Sequence, residues 1–114
     1  MITYWHNPRC SKSRAGLALL EEKGAAHEVR LYLQDAPTVE EISAVQAALA
    51  VPAIGMMRTG EKTFKELGLT KDSPEETLVQ AMAEHPILIE RPIAIRDTRA
   101  AIGRPTENLI DLLD

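Results

Sequence analysis

What this chain lacks narrows its chemistry before any motif is read. It has one cysteine, Cys10, in 114 residues. A lone thiol excludes an internal disulfide and any zinc site built on several thiolates. His27 and His85 stand isolated, away from metal-ligand spacing, so no metal is expected. No P-loop and no glycine-rich dinucleotide fingerprint is present, so no bound cofactor is expected. No apolar run approaches the roughly 20 residues of a membrane span, and the first residues lack the apolar core of a signal peptide. A cytoplasmic protein with no membrane partner is the expectation, and a reducing compartment suits a free thiol. Positive charge is not in excess either: the net charge is −4, which argues against wholesale nucleic-acid binding. No carboxylate pair stands out as an acid/base couple. Asp35, Glu40, Glu41 and Glu75 read as capping or solvated residues. Repeats and linkers are absent too, so residues 1–114 are expected to form a single domain.

Against that background the run His6-Asn7-Pro8-Arg9-Cys10-Ser11-Lys12-Ser13-Arg14 carries the strongest signal. Met1 to Trp5 reads as a short strand and Ser11 to Lys23 as a helix closed by Gly24. Cys10 therefore falls at a helix N-terminus, facing unpaired backbone N–H groups and the positive end of the dipole. Arg9, Lys12 and Arg14 add positive charge. Both effects favour the thiolate, the nucleophilic form, and the same setting favours a bound oxyanion. The plainer alternative is a small buried cysteine packing the helix, but its neighbours are polar and cationic. Ser13 stands where a dithiol enzyme has its second cysteine. A covalent intermediate on Cys10 thus needs an outside thiol to resolve it, such as glutathione or a glutaredoxin. Ser13 reads equally as a first-turn serine bonding backbone. His6 could lower the thiol pKa, or could simply bond backbone at a strand end. Asn7 and Pro8 shape the turn.

The rest of the chain supplies a frame. His27 to Tyr32 alternates as a strand, with Val29 and Leu31 on one face, which completes a βαβ unit with parallel strands. Thr38 and Glu41 form a capping-box signature ahead of Ile42, Val45 and Leu49, and Pro52 ends that helix. Met56 to Arg58 suggests one helical turn, and Lys62 to Leu67 a short helix. Ser73-Pro74-Glu75-Glu76 suggests N-cap Ser, Pro at N1 and Glu at N3, for a helix carrying Leu78 and Met82 that stops before Pro86. Ile93, Ile95, Ala100 and Ile102 flank Arg96-Asp97-Thr98-Arg99 as a hairpin. Pro105 starts a last helix with Leu109, Leu112 and Leu113. The order β-α-β, helices, β-β-α fits a mixed α/β sheet of thioredoxin-like type, with a helical region inserted over about 38–84, between the second and third strands. Arg58, Arg91 and Arg104 each sit at an element junction, where α/β proteins commonly bind ligands. Their guanidinium forks suit a tetrahedral oxyanion; each alone reads as a solvated surface residue. Arg30, Arg96 and Arg99 read as surface charges.

The Cys10 loop resembles the active-site loop of the glutaredoxin-coupled ArsC-type arsenate reductases. Three further segments are similar: Arg58 followed by Lys65-Glu66-Leu67-Gly68-Leu69, His85 through Ile93, and Ile102-Gly103-Arg104-Pro105. The best-known members have small, uncharged residues directly after the cysteine; here Arg9, Ser11 and Lys12 make the loop more basic, and in this it most resembles that of chromosomal paralogues. The resemblance implies a thioredoxin-like fold and a mechanism. Cys10 would attack arsenic(V), with Arg58, Arg91 and Arg104 holding the anion and His6 and Ser13 tuning the thiolate. Glutathione as co-substrate and glutaredoxin as partner would complete the reduction to arsenite, and Arg91-Pro92 would be a cis peptide beside the cysteine. A monomer is the expected state. Two other readings keep the fold: a reductase of glutathione mixed disulfides, and a non-enzymatic Spx-like regulator that binds RNA polymerase. The regulator senses oxidation through a second cysteine, which Ser13 replaces here.

Overall fold

A computed structural model describes residues 1–113 as two compact units. The first comprises Met1–Asp35 and the chain from Arg91 on; the second is Ala36–Glu90.

The first unit is built on a four-stranded sheet: β1 (Ile2–Trp5), β2 (His27–Arg30), β3 (Ile93–Arg96) and β4 (Arg99–Ile102), in the order β2-β1-β3-β4. β1 and β2 run parallel because α1 (Ser11–Glu22) supplies the crossover between them. β1 pairs antiparallel with β3, and β3 with β4 across the turn at Asp97, whose φ is 56°. This is the thioredoxin-like arrangement that the element order implies. Alternation along β1 sends Ile2 and Tyr4 to one face, where they pack with Leu20, Ala94, Leu109 and Leu112. Trp5 points the other way, stacked on Tyr32 with the Arg30 guanidinium over its ring.

Several expectations need correction here. Val29 and Leu31 alternate as a strand should, yet both are exposed, because β2 is the sheet's outer strand and ends at Arg30; the buried residue is Tyr32. The last helix is a 3-10 helix over Thr106–Leu112. Residues three apart eclipse in that geometry, so Leu109 and Leu112 enter the core together. Of the arginines read as surface charges, Arg99 is exposed as expected, whereas Arg30 and Arg96 are half-buried: Arg30 pairs with Asp35, and Arg96 donates to Leu112 O at 2.7 Å. Gly103 is required for space, since a Cβ there would lie 2.7 Å from Pro92 Cγ.

In the second unit, α2 (Val39–Leu49) starts from the expected capping box. Thr38 Oγ1 accepts from Glu41 N–H at 3.1 Å, and Glu41 Oε1 accepts from Thr38 N–H at 2.9 Å. α2 ends at Leu49 with Ala50 left-handed (φ 57°), two residues before Pro52. Ala53–Met56 forms a 3-10 turn. Met57 is then extended and bridges Ile89 rather than continuing a helical turn through Arg58. α3 (Lys62–Glu66) precedes Gly68 as expected. α4 (Glu75–Glu84) buries Leu78 and Met82, but its N-cap is Pro74 rather than Ser73. With ψ at 146°, Pro74 is extended, and its carbonyl accepts from Leu78 N–H; Ser73 Oγ accepts instead from Thr70 N–H. The Glu75 carboxylate accepts from Gln46 Nε2 and Ala53 N–H, joining α4 to the end of α2.

Candidate active site

Strand register assembles the site. Trp5 lies opposite Ile93 in β3, and Ile93 opposite Ile102 in β4. The loop after β1, the residues before β3 and those after β4 therefore meet at one end of the sheet. That end holds Cys10, Arg91 and Arg104. Continued two residues past each strand end, the β3–β4 register sets Arg91 opposite Arg104.

The Cys10 loop is fixed by its own hydrogen bonds. Asn7 Oδ1 accepts from Arg9 N–H at 3.1 Å, and Asn7 O from Cys10 N–H at 3.0 Å. These bonds turn the chain sharply, as an Asx turn does. Arg14 donates to Pro8 O at 2.9 Å. Cys10 is the N-cap residue of α1, in extended conformation, and its carbonyl accepts the first helical bond, from Arg14 N–H. The sulfur is half-buried, whereas Arg9, Ser11, Lys12 and Arg14 are exposed around it.

Two arginines meet the sulfur. Arg104 Nη2 donates to Cys10 Sγ at 3.5 Å, and Arg104 Nε is held by Arg91 O at 2.7 Å. The thiol titrates below its ordinary range. Burial pushes it up, but the first-turn amides of Ser13 and Lys12 and the Arg91 guanidinium together outweigh that. The shift is toward the thiolate, the nucleophilic form. Pro92 is buried beside these groups. The Arg91–Pro92 peptide is cis, and so is Arg104–Pro105, which the sequence did not suggest.

Ser13 is fully buried. Its Oγ shares a 2.7 Å hydrogen bond with His6 Nδ1 and accepts from Asn7 N–H at 2.9 Å. His6 therefore bonds a side chain rather than backbone, and it reaches the cysteine loop through Ser13. Its pKa is lowered by burial and then by the Arg14 charge, so the ring is neutral near neutral pH. Arg58 lies in the second unit, where its Nη2 pairs with Glu61 Oε2 at 3.2 Å and its N–H donates to Leu88 O.

Sequence reasoning missed Tyr4 and Glu61. Tyr4 donates its hydroxyl to Ser13 O at 2.6 Å. Its signal was an inward strand position two residues before His6, together with a glycine, Gly16, inside the facing helix. Glu61 stands three residues after Arg58, a spacing that pairs side chains. Among the described residues no three His, Cys, Asp or Glu cluster as metal ligands, and no helix is long and apolar enough to cross a membrane.

Residues 5–112 match the model of the ArsC family. The chain is 48% identical over 112 residues to an arsenate reductase of Neisseria meningitidis serogroup A, covering 95% of this chain and 94% of that one. It is 42% identical over 114 residues to an arsenate reductase of Haemophilus influenzae, with 98% of each chain covered. Among solved structures, an arsenate reductase from Vibrio cholerae superimposes with a TM-score of 0.94 at 44% identity, covering 98% of this chain and 97% of that one.

Proposed function

The chain belongs to the ArsC family, and from that premise we propose that it reduces arsenate to arsenite through an adduct on Cys10, with glutathione as co-substrate and a glutaredoxin as partner. The observation that carries this reading is the pair of guanidinium groups at one sulfur, with Arg104 Nη2 3.5 Å from Cys10 Sγ and Arg91 stabilising the thiolate. A thiolate attacking an arsenate anion meets like-charge repulsion. Fixed donors that gain strength as charge develops offset it, each by about 3 kcal/mol in the transition state.

The chemistry balances with two thiols from outside. The Cys10 thiolate forms a bond to arsenic(V) and displaces one oxygen as water. Glutathione replaces a second oxygen in the same way. The glutaredoxin thiolate then attacks the glutathione sulfur, and the electron pair of that As–S bond passes to arsenic, which becomes arsenic(III). Water replaces Cys10 at arsenic, releasing arsenite and the thiolate, and glutaredoxin leaves carrying the mixed disulfide. Ser13 in place of a second cysteine suits this reliance on outside thiols. His6 and Ser13 support the loop in this scheme.

The test is arsenate-dependent NADPH consumption in the presence of glutathione, glutaredoxin and glutathione reductase. Saturable turnover that disappears in Cys10→Ser is expected, with Arg104→Ala slower by about a hundredfold. Absence of turnover with arsenate, alongside turnover of a glutathione mixed disulfide, would replace this reading with that of a thiol reductase.

A further inference from the structure

Tyr4 ties the strand before the loop to the helix after it. Its ring is fully buried, and its hydroxyl donates to Ser13 O at 2.6 Å. That carbonyl belongs to the first turn of α1. The same peptide unit donates from its other end, because Arg14 N–H bonds Cys10 O at 3.0 Å. Hydroxyl, peptide and Cys10 carbonyl thus form one hydrogen-bonded chain, and such chains polarise bond by bond.

α1 has space made for this hydroxyl. A Cβ at Gly16 would run into Tyr4 Oη and would lie 2.9 Å from Leu109 Cδ1. Glycine is unfavourable in a helix interior relative to alanine, so its presence in the second turn has a reason in the seat it leaves. Ser13 is then held on two sides by residues of one segment. Tyr4 takes its carbonyl, while His6 and Asn7 take its hydroxyl. The ring alone would be served equally well by phenylalanine, so the hydroxyl is the feature that needs a role.

We infer that Tyr4 is a positioning residue for Cys10: its hydroxyl, seated at Gly16, fixes the Ser13–Arg14 peptide and so the aim of the first-turn amides at the sulfur. This rests on reading Cys10 as a reacting thiolate, and not on which oxyanion it attacks. An ordinary core tyrosine also needs a partner for a buried hydroxyl, and the test has to separate the two roles.

Tyr4→Phe keeps the ring and removes the hydroxyl. In the full chain, the pH midpoint of Cys10 alkylation by iodoacetamide is expected to rise by about half a unit. An unmoved midpoint in a folded Tyr4→Phe protein would overturn the inference whatever the melting temperature does, since a packing role alone alters only melting. Gly16→Ala, which pushes the hydroxyl off Ser13 O, should raise the midpoint in the same direction. In the Tyr4→Phe background it should add nothing further, and independent, additive shifts would also count against the inference. Alkylation needs no arsenate, so this outcome and that of the turnover assay can fail separately.

Discussion

At the scale of single residues, Ser13 joins the Cys10 loop to the helix that follows it. Its hydroxyl meets His6 and Asn7, its carbonyl meets Tyr4, and its amide lowers the thiol pKa. A residue with a plain sequence reading, a first-turn serine, thus proves to be a junction. His6 shares that junction, and its depressed pKa makes stability depend on pH. The unfolded ring takes up a proton near pH 6.5, whereas the folded ring does so only at lower pH. Between those values the unfolded chain binds more protons, so stability rises with pH. The contribution is complete above roughly pH 6.5 and is lost as pH falls toward the folded pKa. Urea midpoints measured from about pH 7.5 to 5.5 should fall in the native protein. In His6→Gln that part of the slope should be absent; a slope identical to native would show that His6 does not titrate as described.

At the scale of elements, local signals succeed where one helical turn or one hairpin contains all the interacting groups. The capping box of α2 is of this kind, with Thr38 and Glu41 satisfying each other's backbone amides. The start of α4 shows the limit. Ser73 carries a similar signature, but Pro74 takes an extended conformation, the cap moves one residue on, and the serine hydroxyl turns back to Thr70. Thr38→Ala should therefore lower stability by about 1 kcal/mol, seen as a drop of several degrees in Tm. Ser73→Ala should cost less, because the hydroxyl serves an exposed turn and no helix end. Equal losses would restore Ser73 as a cap. The β3–β4 hairpin is a middle case. Its turn at Asp97 and Thr98 fixes a register that, carried outward, already sets Arg91 opposite Arg104. The sequence contained that pairing once the turn was located.

At the scale of the whole molecule, a net charge of −4 coexists with Arg9, Lys12 and Arg14 exposed around Cys10. The two fields oppose each other for an approaching anion. The basic residues of the loop lie within a few residues of the sulfur, whereas the negative excess is spread over the surface. With a Debye length of about 10 Å at 0.1 M salt, the local charges dominate. kcat/KM for arsenate should accordingly fall severalfold as sodium chloride rises from about 0.02 to about 0.5 M. A rise with salt would mean that the overall negative charge governs the approach.

The element order, the thiol at a helix N-terminus and the lack of an internal resolving thiol are all legible in the amino-acid sequence. Those depend on interactions within a few residues, where chain connectivity supplies the proximity. Three features come from long-range packing instead: Arg104, 94 residues from Cys10, donates to its sulfur, Tyr4 holds Ser13, and Val29 and Leu31 face outward. The first and the last follow from the strand order β2-β1-β3-β4, which brings the ends of β3 and β4 beside the end of β1 and leaves β2 at the margin, whereas the Tyr4 bond follows from α1 lying against β1. Hydrophobic periodicity marks which residues can face a sheet. It does not say which strands will be neighbours, and it is the neighbours that bring two arginines to one sulfur.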